Sequence, residues 1–594
     1  MFELRFHAVW IVILTLSLSG CAGSGGGTAP AAGSGDETLR ALYEREYAWR
    51  QVQGGKIQDE SGKWIAGDKL PAVDAGTQTQ KLAYWDATLA ELDAIPAASL
   101  SDEEQVNAEV FRQIVQSLAE DTRFKTYEAP LNSDTFFWTI RYPRLGGFKD
   151  ADAYQRYLSR LQDVPRYFSE NMDNMRAGLA RGYSVPAITM VGREDAIEAY
   201  LSTGRNNPYW TPLGQMPASI TAEDRQALEQ SAEQVINDVV VPAYRELLTF
   251  MRTEYLPNAR KTIAASDLPD GAAFYESQIR NYTTLDLTPE AIHQQGLNEV
   301  ARIRKQMERT KQRAGFTGDM AAFIEFLRTD PQFYAKTPDE LMGYSAYVAK
   351  RMDGKLSEIL GFLPRRRFTI MPVPDAIAPY YTAGRGGLDS CLMNTYDLPS
   401  RPLYTLAALT LHECAPGHAL QAAIALEAPG DIPLFREDNY FSGYGEGWGL
   451  YTEWLGAQLG IYRTPYEDFG RLTYEMWRAA RLVIDTGVHH YGWSREQAQD
   501  YLASNTALSV HEVTTEVDRY ISWPGQALAY KLGEMLIRRK RAEAEEALGT
   551  EFDQRYFHDT ILGLRSVPLP VLDSQLDAWI EGGGKNPYAN MTLN

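Results

Sequence analysis

His412-Glu413-Cys414-Ala415-Pro416-Gly417-His418 places two imidazoles and a carboxylate within a single turn-breaking stretch. Two histidines four residues apart lie about 400° apart around a helix, so they share one face and can hold one metal ion. Here the second histidine comes six residues after the first. That spacing gives about 600° on a regular helix and turns the second imidazole roughly 120° off the face of the first. Pro416 and Gly417 offer the remedy, since proline removes a backbone donor and clashes one turn back, while glycine accepts dihedrals that other residues avoid. The expectation is a local bulge that brings His418 round to His412, with Glu413 as general base beside the metal.

An open catalytic zinc site needs a third protein ligand and leaves a fourth position for water. Glu446, in Gly443-Tyr-Gly-Glu446-Gly-Trp-Gly-Leu-Tyr-Thr-Glu453, lies 28 residues after His418 and supplies it. The glycines around it would let that helix approach its partner closely. Glu453 falls on the same face and suits the task of orienting a ligating histidine. Of the eight histidines in the chain, five fall between 412 and 511. His489 and His511 are candidate donors to a tetrahedral oxyanion, whereas His490 and Glu512 read as surface residues. Tyr530 follows Gln526 by four residues, so the two would line a cleft together. Cys414 points off the His412 face and reads as a small buried residue. Arg365-Arg-Arg367 and Arg538-Arg-Lys-Arg541 read as solvated charge runs.

The N-terminus reads as a processing signal. Residues 8–18 are almost wholly apolar, too short a run for a permanent membrane helix, and Leu18-Ser19-Gly20-Cys21 follows. That sequence resembles the bacterial lipobox, in which cleavage leaves an acylated N-terminal cysteine, so residues 1–20 are expected to be a signal peptide and Cys21 the lipid anchor. Ala22, rather than Asp, resembles sorting to the outer membrane. Residues 21–36 are rich in Gly, Ser, Ala and Pro and read as a flexible tether. Roughly 570 residues remain after cleavage. A formal charge of −20 argues against nucleic acid as a partner and leaves the lipid as the contact with membrane. With Cys21 acylated, only Cys391 and Cys414 remain, which is no disulfide framework; a single bridge between them is left open.

Most of the chain carries apolar residues at three- and four-residue spacing, as in 39–51, 81–92, 101–120, 151–178, 222–255 and 289–313. Ser101, Thr221 and Thr288 each precede early acids and predict helix N-caps. Residues 367–400 differ, being β-rich and broken by Gly and Pro; they predict a small antiparallel sheet beside the active-site helix. Loop composition near 257–270 suggests an N-terminal helical region over 37–265 and a catalytic helical region over 266–594, with a single core shared by the two left open.

His412-Glu-x-x-Pro-Gly-His418-x-x-Gln421, Gly443-Tyr-Gly-Glu446-Gly-Trp, Asp485-Thr-Gly-x-His489 with Gly492-Trp-Ser, and Arg519-Tyr520-x-x-x-Pro-Gly-Gln-Ala-x-x-Tyr530 together resemble the bacterial domain of unknown function 885. The resemblance runs from about residue 37 to the C-terminus. That family is similar to the gluzincin metallopeptidases, whose helical members include carboxypeptidase Taq and angiotensin-converting enzyme. The likeness implies a mainly α, multi-helix metallopeptidase-like fold with one zinc per chain on His412, His418 and Glu446. It further implies that Glu413 is the general base and that Tyr520, with His489 or His511, stabilises the transition state. The relatives have His-Glu-x-x-His where this chain has the longer spacing, which makes His489 or His511 the alternative second imidazole. Arg385, Arg519, Gln526 and Tyr530 are substrate-cleft candidates, with Arg385 suited to a peptide's terminal carboxylate. The implied activity is hydrolysis of peptide bonds in short peptides, carboxypeptidase- or oligopeptidase-like, by a lipid-anchored protein of the cell envelope, facing the periplasm from the outer membrane. The competing expectations are a metal-dependent amidase acting on cell-wall fragments and a non-catalytic lipoprotein with a decayed site.

Overall fold

The computed structural model describes residues 34–589 apart from 144, 145 and 376. The expected signal peptide and Cys21 lie outside the described residues. Helices dominate, and the caps read from sequence are in place: the side chains of Ser101, Thr221 and Thr288 accept from the backbone N–H groups of Glu104, Asp224 and Ala291. Each satisfies one of the orphan donors that a helix start leaves.

Three helices open the described chain: α1 (Ser34–Gln53), α2 (Ala75–Asp93) and α3 (Asp102–Arg123), with a hairpin of β1 (Lys56–Gln58) and β2 (Trp64–Ala66) between the first two. A helical stretch from 151 to 258 follows, then α4 (Gly271–Thr283) and α5 (Pro289–Arg313). Next come the strands β3 (Thr369–Pro372), β4 (Gly384–Gly386) and β5 (Ser390–Met393). The helices α6 (Leu403–Glu413), α7 (His418–Glu427), α8 (Ser442–Gln458), α9 (Pro465–His489), α10 (Val510–Ser522), α11 (Ala529–Leu548) and α12 (Leu569–Glu581) complete the part that matters for the site. No described helix is long and apolar enough to cross a membrane.

The apolar cores do not divide at residue 265. Leu39, Leu42 and Phe111 from the N-terminal helices share one core with Leu411, Trp448 and Leu572 from the other end of the chain. A second core, rich in aromatic residues, is confined to residues 70–255. The N-terminal helices thus belong to the body that carries the site. Composition of a loop cannot show this, because burial is decided by which faces meet.

The sheet is mixed, not antiparallel. Its order is β3-β5-β4, with β4 antiparallel to β5 but β3 parallel to it. The chain leaves β3, crosses to the far side of the future central strand, and returns as β5 between the two. Consequently β4 is an edge strand, and it is the edge that meets α6.

Helix α9 is the spine, buried at nearly every position from Phe469 to His489. At its end Asp485 accepts from the Tyr275 hydroxyl at 2.6 Å and from the Gly525 N–H at 3.2 Å. One turn on, His489 accepts from the Ala265 N–H at 3.0 Å and donates to the Tyr520 carbonyl at 2.9 Å. Both nitrogens of this fully buried ring are therefore spent on backbone. Asp485 and His489 bolt three chain segments together, which is a structural duty.

Helices α8 and α11 cross almost backbone to backbone. A Cβ added at Gly533 would meet the Gly443 carbonyl and lie 2.8 Å from the Gly447 Cα. Gly533→Ala should therefore destabilise the fold by about 3 kcal/mol, read as a lowered midpoint in urea. A second expectation concerns acid. Burial pushes the His489 imidazole down to about 3, so the unfolded chain takes up a proton near its ordinary value of 6.5 that the folded chain refuses. This contribution is whole above pH 6.5 and lost as pH falls towards 3. His489→Gln, which keeps a donor and an acceptor, should flatten the fall of melting temperature between about pH 7 and 4.5; an unchanged slope would deny His489 this role.

Candidate metal centre

Helix α6 ends at Glu413, and α7 begins at His418. The expected bulge in one helix is a full break into two. Cys414 leaves helical dihedrals at φ −98, ψ −96, and Gly417 sits at φ −76, ψ −140, with a cis Ala415–Pro416 peptide between them. The loosened backbone is caught again. Gly417 N–H donates to the Leu411 carbonyl at 3.0 Å, Leu420 N–H to that of Cys414 at 3.1 Å, and the Trp448 indole to that of Pro416 at 2.8 Å.

The result brings His418 onto the face of His412. The Nε2 atoms of His412 and His418 lie 3.4 and 3.2 Å from the same oxygen, Oε2 of Glu446 on α8. Four ligands about 2.0–2.1 Å from a tetrahedral metal are spaced about 3.3–3.4 Å apart, so each imidazole stands from the Glu446 oxygen at about the spacing of two ligands of one ion. One ligand atom from each of the three residues falls within 4.8 Å of the others. Nδ1 of His412 stands 2.9 Å from Glu453 Oε1, which fixes that nitrogen as the donor and leaves Nε2 as the free lone pair. The Arg478 guanidinium is 3.5 Å from the same Glu453 oxygen and covers the Trp477 ring. Nδ1 of His418 has a looser partner in Gln421 Oε1, at 3.3 Å. The donor set, its spacing and the support behind His412 fit zinc.

The charges agree. Burial alone would hold the His412 imidazole down, but the Glu446 and Glu453 carboxylates outweigh it and lift it to about 10. His418 is raised as well, with Glu446 prevailing over burial. Burial opposes the charged form of Glu446, yet both imidazoles hold its carboxyl well below the usual range. Protons stand where a cation would, and a metal would displace them.

Glu413 faces the edge strand: its Oε2 accepts from the Gly386 N–H at 2.6 Å. A Cβ on Gly386 would press into the Glu413 carbonyl and come 2.7 Å from the His418 Cβ, so only glycine lets β4 lie this close to the break. Arg385, next to it on β4, is exposed and sits over the Tyr381 ring at 5.4 Å.

The later residues divide. Arg519 donates to Gln526 Oε1 at 3.1 Å and stands 3.5 Å from the Tyr530 hydroxyl, so these three expected cleft residues do meet. The Tyr530 ring stacks near-parallel to that of His412, with centroids 6.4 Å apart. Tyr520, by contrast, is buried, and its hydroxyl accepts from the Trp477 indole at 2.6 Å and from Arg481 Nε at 3.0 Å. It is not brought to the metal site, and neither is His489. His511 is exposed in the first turn of α10 and outside the histidine–glutamate cluster. Tyr440 was not expected: its phenol faces Glu446, with Tyr530 and Glu413 also near. It precedes α8, where no helical spacing could connect it to Glu446.

Cys391 and Cys414 are joined as a disulfide, with Cα atoms 5.3 Å apart. Cys414 is buried, as its sequence position suggested, but it is not a free thiol. Glu512 is also less exposed than a surface residue, capping α10 through Ser509 and standing 3.6 Å from Arg401.

Solved structures resemble this one, two of them as follows. The crystal structure of "the putative lipoprotein from Colwellia psychrerythraea" superposes with a TM-score of 0.83 at 25% identity, covering 92% of this chain and 100% of that one. A "putative lipoprotein of unknown function from Shewanella oneidensis" gives a TM-score of 0.64 at 17% identity, covering 91% and 99%. No curated protein matches the sequence. The profile described as "Bacterial protein of unknown function (DUF885)" matches residues 56–576, from β1 into α12 and through the broken helix pair: the chain belongs to this family.

Proposed function

We propose that the chain is a zinc-dependent hydrolase of peptide bonds in short peptides. The observation that carries the reading is the meeting of two imidazole Nε2 atoms on one Glu446 oxygen, with Glu413 adjacent and held by Gly386. Zinc bound there would polarise a carbonyl and make water acidic enough to lose a proton near neutral pH. Glu413 takes that proton and passes it to the leaving amine. With one carboxylate oxygen engaged by Gly386, its other oxygen is the one that can face the water. The Tyr530 ring beside His412 and the Tyr440 phenol beside Glu446 support these two, in place of Tyr520, as donors to the oxygen on which charge would develop.

The edge position of β4 supports a peptide substrate, because an extended chain running beside the strand would bring its bonds past Glu413. Arg385 and Arg519, the latter held by Gln526 and Tyr530, are the cations that a terminal carboxylate would meet under this reading. The two structural relatives described as lipoproteins, with the Cys21 motif, support an anchored protein of the envelope.

Purified protein should hold one zinc per chain by metal analysis, and Glu446→Ala should lose it. Glu413→Gln should keep the metal while turnover on a peptide panel falls about 10²–10⁴-fold. A wild type that takes up no zinc on reconstitution would sink the reading; turnover confined to wall fragments would move it to an amidase. Among the tyrosines, Tyr530→Phe and Tyr440→Phe should each lower kcat about 10²–10³-fold with metal content unchanged. Tyr520→Phe should leave kcat within about threefold of wild type and lower stability instead. The reverse pattern would reassign the oxyanion donor.

A further inference from the structure

We propose that the Cys391–Cys414 disulfide is the clip that assembles the metal centre, so that full metal affinity is reached only in a chain oxidised at this pair. The proposal rests on the zinc reading above and concerns how that site is built.

The break between α6 and α7 must hold a shape that no helix imposes. Its metal-facing ends are unequally supported: His412 is braced by Glu453, whereas His418 has Gln421 at 3.3 Å. Cys414 is the first residue of the break, directly between Glu413 and the turn that leads to His418. Its sulfur is bonded to Cys391, in the middle strand of the sheet. Cys391 is the register partner of Gly386 across the β4–β5 ladder, and Gly386 donates to Glu413 at 2.6 Å. The links close a ring: Glu413 is bonded through the chain to Cys414, through sulfur to Cys391, through the ladder to Gly386, and through a hydrogen bond back to Glu413. One covalent bridge therefore sets the position of the general base against its strand and the start of the path to His418. Gly386 also packs against the His418 Cβ, so the same ring bears on the weaker ligand.

Both cysteines are fully buried. External thiols have no path to the bridge in the folded chain, so the clip is set at folding and is not a reversible switch. In that step the Cys391 and Cys414 thiols give up two protons and two electrons to a disulfide-bonded oxidant of the envelope. One S–S bond forms in this chain while that of the oxidant becomes two thiols. A chain folded in a reducing compartment has the ligands but not the clip.

The test compares three forms: the wild type made in an oxidising compartment, the wild type made in a reducing one, and the Cys391→Ser/Cys414→Ser double variant. Thiols are counted after denaturation, fold is followed by circular dichroism, and zinc affinity is measured by competition with a chromogenic chelator. The oxidised form should bind one zinc. The other two should keep their helical signal and bind about 10–100-fold more weakly, as when a group supporting a ligand is lost. Equal affinity in all forms overturns the clip and leaves the metal site standing. Zinc absent from every form, the oxidised one included, overturns the metal reading and the clip with it. If neither unclipped form keeps its helical signal, the bridge serves the whole fold and the proposal fails.

Discussion

One oxygen of Glu446 is shared by two imidazoles, and most of what surrounds it exists to keep that meeting possible. A buried imidazole beside a half-buried imidazole and carboxylate is costly apart and stable only as a compensated set. His412 can be held so deep because Glu453 takes its other nitrogen. Glu453 is tolerable there because Arg478 lies against it, and Arg478 is sheltered by the rings of Tyr474 and Trp477. Charge is thus neutralised stepwise outward from the site into α9, the helix that is buried along its length.

Bringing α8 to the site is a matter of backbone. Glu446 reaches both histidines because its helix is held against α11 at the distance of two glycine backbones. A larger residue at Gly533 would move α8 as a body, and Glu446 with it. The N-terminal helices have the same consequence at longer range. Through Phe111 and Phe435 they pack on the segment leading into α8, so the far end of the sequence fixes where the helix of Glu446 starts. This is why the core ignores a boundary near 265.

How much could be read in advance follows from what periodicity can and cannot report. Spacing of apolar residues and cap chemistry marked the helices correctly, since both act within a few residues. The same local logic identified His412, His418 and Glu446 as a set, because their residue types define a donor list whatever the route of the chain. It could not show that the Tyr520 hydroxyl is engaged by Trp477 and Arg481, residues about forty positions away. His489 was misleading for the same reason: nothing near it in sequence reveals that Ala265 and Tyr520 consume both its nitrogens. Two cysteines 23 residues apart likewise say little until a strand and a helix end are brought together. The parallel pairing of β3 with β5 rests on a crossover that composition does not show.

The six-residue spacing that sets this chain apart has a physical use. In an unbroken helix the carbonyl of Glu413 would be occupied by its own helix, and the side chain at 418 would project elsewhere. Ending the helix at Glu413 opens a place for the edge strand, and Gly386 enters between the Glu413 carbonyl and the His418 Cβ. The strand then offers its Gly386 N–H to the Glu413 carboxylate. The hydrogen bonds that the break removes from the helix are offset by those of Gly417, Leu420 and Trp448, which tie its inner side to the core. Lengthening the motif by two residues therefore does more than delay the second histidine: it turns the gap between the two imidazoles into the point where helix, sheet and disulfide meet.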